Sequence, residues 1–185
     1  WRPFISCAGI ALRDCTISLY RGDRRVEEGF GDVLFTHRGL SGPGILDLSR
    51  SMRTGDRIRI PLSGDPLLFK SSKEADEQLR SQIEAHGKRS LSRIVSALSV
   101  SETLARALLQ SLDIDSSQNA ANLSRTDRIA LAESLGGPGF SFPLAKLGSW
   151  DEAMATRGGI DLAAVNAKTM ESRIVPGLFF AGEIL

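Results

Sequence analysis

The spacing of the apolar residues changes period twice along this chain, which commits it to a mixed architecture. Cys15, Ile17 and Leu19 alternate with Thr16, Ser18 and Tyr20, and Ile58, Ile60 and Leu62 alternate with Arg57, Arg59 and Pro61. That period of two belongs to half-buried strands. Further on the period becomes helical. Ala75, Leu79 and Ile83 form one stripe, Leu91, Ile94, Val95 and Leu98 a second, Leu104, Leu108 and Leu112 a third, and Ile129, Leu131 and Leu135 a fourth. Ser90, Ser101 and the pair Ser124 and Asp127 stand where helix caps belong. Strand-like runs then return at 140–147 and 178–181. The expected fold is α+β: a mainly antiparallel β lobe, a partly closed barrel, with a small helical bundle inserted. Residues 1–66 and 136–168 are assigned to the β lobe, 67–135 to the helical insert and 169–185 to a returning segment.

Turn chemistry adds local detail. Arg21-Gly22-Asp23 and Thr54-Gly55-Asp56 read as turns, and Gly29-Phe30-Gly31 as a break before a short buried strand from Val33 to Thr36. Gly87 is expected to close its helix in the left-handed conformation. Residues 152–156 read as a further strand, closed by Gly158-Gly159. Leu178-Phe179-Phe180-Ala181 reads as a strand covered on both faces. The two apolar sets are large enough for two small cores.

Composition narrows the class. In 185 residues, 23 Lys+Arg face 22 Asp+Glu, a formal net charge of +1. Such a balance gives no support for a nucleic-acid or membrane-surface partner, and neither is expected. No apolar run approaches the ~18 residues of a membrane span. Two cysteines, Cys7 and Cys15, and two histidines rule against a disulfide framework and a metal centre. Reduced thiols and a cytoplasmic location are the default expectation. The chain begins at Trp1 without Met and ends directly after an apolar run, so it reads as a piece of a longer protein.

Two segments carry candidate chemistry. The first, Leu34-Phe35-Thr36-His37-Arg38-Gly39-Leu40-Ser41-Gly42-Pro43-Gly44, reads strand, glycine-rich loop, helix. Ser41 is a candidate N-cap and Pro43 suits the first helical turn. Such a loop can lie beside a bound cofactor or substrate, with His37 as proton donor or acceptor. A tight strand-to-helix turn needs the same glycines. A phosphate-binding Walker pattern is absent, and Pro43 spoils a Gly-x-Ser-x-Gly elbow around Ser41. Leu91 to Leu112 allows a helix-turn-helix, but its second helix has only Arg106 as a base. The second segment, Val175-Pro176-Gly177 followed by Leu178 to Glu183, places Gly182 and an acid at the end of an apolar strand, where α/β ligands bind.

Together, Leu34 to Pro43 and Thr169 to Glu183 resemble the BaiN/aminoacetone-oxidase-like family of bacterial FAD-dependent flavoproteins. Gly158-Gly159-Ile160 and Asn166 fall in place between them. The resemblance implies a parent with an N-terminal FAD half, interrupted by a large insert and resumed at Ala181-Gly182-Glu183. This chain corresponds to the insert plus the first returning strand. The implied activity is an FAD-dependent, NAD(P)H-linked oxidoreductase acting on a small molecule. Ala181, Gly182 and Glu183 would contact FAD. Thr36, Gly39, Ser41, Gly42 and Pro43 would line the flavin or substrate, and His37 would be the catalytic acid–base group. The implied partner is the remainder of the FAD domain. With no Gly-x-Gly-x-x-Gly in the chain, the piece alone is expected to fold without holding FAD tightly, and to be inactive. The competing class is a non-catalytic interaction module.

Overall fold

The structure, a computed structural model, describes residues 1–63, 69–137, 139–149, 158–182 and 184. Its contacts divide the chain into two compact units, Trp1–Leu147 and Gly148–Leu185. The first is α+β. A 3-10 turn (Arg2–Cys7) leads into β1 (Ala11–Arg21), β2 (Arg24–Phe35), β3 (Leu40–Ser41), α1 (Pro43–Ser49) and β4 (Arg57–Ile60). Then come α2 (Ser72–His86), α3 (Leu91–Ser96), α4 (Glu102–Ser111), α5 (Arg125–Leu135) and β5 (Phe140–Pro143). All strand pairs are antiparallel, and the five strands form one curled sheet in the order β3-β2-β1-β4-β5. β4 and β5 flank the helices in sequence and are neighbours in the sheet, so the helices are an excursion from it.

The alternation read in β1 and β4 defines the sheet's inner face. Ile17, Leu19, Ile58 and Ile60 are all buried. Against them stands an aromatic cluster. Phe4 lies 5.1 Å from Phe142 and 5.9 Å from Phe35, and Phe140 lies 4.8 Å from Phe142. One continuous apolar cluster, rather than the two expected, runs from these rings through Leu79, Leu91, Ile94, Leu104, Leu108 and Leu135. Leu62 N–H donates to the Ser134 carbonyl at 3.1 Å, stitching the end of β4 to α5. Sheet and helices thus bury their apolar faces on each other, as layered domains do.

Several local expectations need correction. Gly29-Phe30-Gly31 does not break the chain; it lies inside β2, opposite Ile17, Thr16 and Cys15. Seven of the twelve residues of β2 are charged or glycine, so its own propensity for extension is poor, and the strand is held by pairing with the strongly alternating β1. Gly87 is right-handed, at φ −56°. Its glycine is needed for close approach: a Cβ there would lie 2.8 Å from the Ile83 carbonyl and 3.0 Å from Ala121 Cβ. Ser101 and Ser124 do cap, accepting from Leu104 N–H and Asp127 N–H, whereas the Ser90 side chain makes no capping bond. The 140–147 run forms a strand only over Phe140–Pro143. The strand expected at 152–156 lies outside the described residues.

In the second unit, residues 178–181 are not a doubly covered strand. Leu178 and Phe179 are 44% and 60% exposed. The Val175-Pro176-Gly177 turn folds the chain straight back, so Ser172 N–H reaches the Leu178 carbonyl at 2.7 Å and Phe180 N–H the Met170 carbonyl at 2.9 Å. A two-stranded ribbon of this kind covers at most one face.

Both cysteines are free and buried in the first unit. Burial, with Asp32 and Asp14 nearby, pushes the Cys15 thiol up to about 11, and burial raises Cys7 as well. Since the thiolate is the reactive form, native Cys15 should alkylate with iodoacetamide at pH 8 on the order of 100-fold more slowly than in urea, a factor that follows from a rise of about two pK units. Peptide mass mapping of alkylated protein checks this. Equal labelling with and without urea would show that Cys15 is not enclosed as described.

Candidate functional site

The glycine-rich loop connects β2 to α1 by way of β3. Thr36 organises its tip. The Thr36 hydroxyl accepts from Arg38 N–H at 3.2 Å and Gly39 N–H at 3.1 Å, and donates to the Gly39 carbonyl at 2.8 Å. Thr36 N–H also reaches that carbonyl at 2.8 Å. The tip is therefore a self-satisfied turn that leaves the His37 side chain exposed to solvent. Ser41 is not the N-cap. It pairs with Leu34 as part of β3, and Gly42 caps α1 with Pro43 in the first turn. Gly42 is required there on two counts: its φ is +98°, and a Cβ would lie 2.6 Å from the Asp32 carbonyl oxygen.

The mouth of α1 is occupied by protein. A Cβ on Gly31 would come within 3.0 Å of both N and Cα of Gly44, and one on Gly44 would strike Ile17 Cδ1 at 2.5 Å. The first turn of this seven-residue helix thus rests on the backbone of β2. Two loop amides are spent on Thr36, Pro43 has none, and the Gly44 nitrogen lies against Gly31 of the strand. These residues do not form a phosphate cradle, so no cofactor step is assigned to them. Ala181 and Gly182 lie in the second unit. Both are exposed, and Gly182 has φ +84° with open space beside it. Glu183 lies outside the described residues.

A second surface emerges from strand register rather than from any motif. The outer face of the sheet presents Thr16, Ser18 and Tyr20 of β1. Phe30, Glu28 and Arg25 of β2 stand opposite them, and Arg59 and Arg57 of β4 stand opposite Ser18 and Tyr20. The Arg59 guanidinium lies over the Tyr20 ring, 4.9 Å from its centroid, while the Arg59 Nε is buried without a hydrogen-bond partner. Phe30 is 66% exposed. Arg25 pairs with Glu28, Arg57 with Asp23 at 3.1 Å and Arg13 with Asp32 at 2.5 Å. Bonds from the Asp14 amide and Arg13 hold the Asp32 carboxyl below its ordinary range. At the hairpin end, Arg21, Arg24 and Val26 line a shallow depression. Among the described residues no carboxylate ion-pairs with Arg24 or Arg59.

Fold and surface together define a curled-sheet domain with a helical excursion. A family model described as "HI0933-like protein barrel and H2TH domain" matches residues 3–155, and the chain belongs to that family. The ribosomal RNA dihydrouridine synthase of Escherichia coli (strain K12) is 31% identical over 156 residues, covering 83% of this chain and 36% of that protein. The ribosomal RNA dihydrouridine synthase of Haemophilus influenzae is 28% identical over 156 residues, covering 84% of this chain and 36% of that protein. The chain thus spans about a third of the length of these curated relatives.

These findings correct the expectation of a small-molecule substrate and no nucleic-acid partner, since both relatives are named for ribosomal RNA. The expectation rested on a net charge of +1. A whole-chain sum does not report local placement: the strands carry six arginines and four carboxylates. Among the described residues no helix is long and apolar enough to cross a membrane, and no three His, Cys, Asp or Glu side chains converge as a metal site would require.

Proposed function

We propose that this chain is the barrel-and-helix region of a longer flavin-dependent oxidoreductase that acts on ribosomal RNA, reducing uridine to dihydrouridine. The observation that carries this reading is the match over 156 residues to two proteins of that name from two organisms. The resemblance of residues 34–43 and 169–183 to the BaiN/aminoacetone-oxidase-like flavoproteins supports the flavin part. Reducing a uracil ring adds a hydride and a proton across its C5–C6 double bond, and the flavin supplies the hydride when bound. The FAD site belongs mostly to the rest of the parent, with Ala181, Gly182 and Glu183 completing it. His37, solvent-facing on a pinned loop, is the acid–base candidate, and Thr36, Gly39, Ser41, Gly42 and Pro43 form the scaffold that presents it.

The test uses the complete parent protein. Incubated with NADPH or NADH and with ribosomal RNA from a strain lacking its gene, it should restore the two-hydrogen mass gain at a uridine. The His37→Ala variant should retain flavin and lose at least about 100-fold in rate, the usual contribution of general acid–base catalysis. A colourless parent that leaves the RNA mass unchanged would show that this is not a flavin-dependent uridine reductase. An unchanged rate in His37→Ala would remove His37 from the chemistry alone.

A further inference from the structure

We infer that the outer face of the sheet, centred on Phe30, the Tyr20–Arg59 stack, Arg57 and Arg25, is a docking surface for unpaired RNA. This rests on the proposed action on ribosomal RNA and extends it to a surface outside the glycine-rich loop.

The placement follows from register. Arg59 and Tyr20 are diagonal neighbours across β1 and β4, because Ser18 faces Arg59 and Tyr20 faces Arg57. Diagonal pairs on one sheet face are within reach of long side chains, and here the guanidinium lies on the ring at 4.9 Å. The half-buried Arg59 guanidinium is held against the ring, and arginine planes beside aromatic rings are suited to bases and phosphates. Phe30 stands opposite Thr16, four residues along β1 from Tyr20 and so about 13 Å away. It offers a second flat surface at 66% exposure.

Nothing in the fold requires an aromatic residue at Phe30. Its neighbours Gly29 and Gly31 turn to the inner side, where Gly29 meets Leu48 and Gly31 meets Gly44. The exposed ring has no ring partner among the described residues.

Charge favours a polyanion over an apolar protein face. Three carboxylates share the surface, Asp23, Glu28 and Asp32, and each is held by an arginine. Arg59 remains without a carboxylate, so Arg13, Arg25, Arg57 and Arg59 face three carboxylates and the excess is one cation. The three ion pairs are partly or largely exposed, hence weak, and their arginines can turn to phosphate at little cost. Unpaired RNA is recognised by stacking its splayed bases on aromatic and arginine planes, commonly across an open sheet, while cations follow the backbone. This face combines both elements on one rigid platform.

The test measures binding of the 185-residue chain to a fluorescein-labelled oligouridylate of about 12 nucleotides, by anisotropy across a salt series. Phe30→Ala should raise Kd about tenfold or more, the effect of one lost base stack. Arg57→Gln should weaken binding and reduce the slope of log K against log salt by about 0.7. Arg106→Gln, on α4 and paired with Glu102, should leave both unchanged. Circular dichroism melts should confirm that Phe30→Ala and Arg57→Gln fold, as their exposure predicts.

If Phe30→Ala and Arg57→Gln bind like the parent chain, the surface is wrong while the uridine-reductase reading stands. If only Arg57→Gln weakens binding, the contact is plain electrostatic adhesion and the stacking platform is refuted. If the chain binds neither the oligouridylate nor purified ribosomal RNA at low salt, the surface is also overturned, and the mass assay on the complete parent decides the wider reading independently.

Discussion

Gly139→Ala should lower the stability of the first unit by roughly 3–5 kcal/mol, the largest effect expected of any single methyl group added to this chain. Gly139 leads into β5 at φ +76°. A Cβ built there would lie 2.2 Å from the Ile60 carbonyl carbon, 2.3 Å from Pro61 N and 2.4 Å from the Ile60 oxygen. All three atoms are backbone, so no rotamer change relieves the clash. β5 would have to move away from β4, breaking the register that sets Phe142 opposite Ile58 and Phe140 opposite Ile60. The aromatic cluster would then lose two of its rings. For a domain of this size the melting temperature should fall by about 10 °C or more. Gly9→Ala is the matched control: its φ is +92°, but nothing lies within 4 Å of the added methyl. That variant should cost only about 1–2 kcal/mol for its left-handed backbone. Equal melting temperatures for the two variants would show that the close approach at Ile60–Pro61 is absent.

β1, β4 and the four main helices announce themselves because each buries one face and exposes the other. Periodicity reports that asymmetry directly. β2 hides because its first half has charged or glycine residues on both faces, and it is extended only because β1 pairs with it. Segment 178–181 misleads for the opposite reason. Its continuous apolar run reads as a doubly covered strand, yet Pro176-Gly177 folds it into a narrow ribbon with Phe179 exposed. Gly87 shows a further limit: a glycine at a helix end signals either a left-handed cap or a tight neighbour, and only the position of Ala121 decides.

The candidate surfaces divide along similar lines. The loop at Thr36 to Pro43 was found because glycine and proline mark backbone demands, and the structure assigns those demands to packing: Gly42 lies on Asp32 and Gly44 on Ile17. The outer face of the sheet was missed. Asp23, Glu28, Asp32 and Asp56 interleave with its arginines in sequence; in the fold the first three stay on that face as ion-pair partners, and only Asp56 turns inward, to Arg21. The available signal was the alternation itself: Arg57 and Arg59 occupy the polar positions of β4, as Ser18 and Tyr20 do in β1. Any antiparallel pairing that buries Ile17, Leu19, Ile58 and Ile60 together puts the two arginines and the tyrosine on one face, and the register that sets Leu19 opposite Ile58 brings them side by side. Phe30, on the polar side of its strand, was the second clue.

Replacing Asp56 by alanine should destabilise the first unit by about 3 kcal/mol at neutral pH, at the low end for breaking a buried ion pair because Arg21 is partly exposed. Asp56 is 2% exposed and collects three bonds: Arg21 Nε and Nη2 at 2.8 Å each, and Arg53 N–H at 2.8 Å. The planar fork of Arg21 matches the carboxylate, and its Nη2 also reaches the Ser51 carbonyl at 3.1 Å. This one acid therefore joins the end of β1 to the turn before β4, beside the edge where Leu144 N–H meets the Asp56 carbonyl at 2.8 Å. The bond from Arg21, followed by that from Arg53, holds the Asp56 carboxyl below its ordinary range. A carboxyl depressed in the folded state adds stability that is complete above its unfolded value of about 4 and disappears as pH falls through its folded value. Asp32 and Asp115 are lowered too and act in the same direction. Stability of the parent chain should therefore decline below about pH 4, and Asp56→Ala should start lower and decline less steeply. Urea melts from pH 2 to 7 read both quantities. Arg21→Lys should recover only part of the loss, because an ammonium keeps the charge but cannot span both carboxylate oxygens. If Asp56→Ala loses stability at pH 7 yet keeps the full acid slope of the parent, the Arg21–Asp56 pair acts only through packing, and its assigned electrostatic role is wrong.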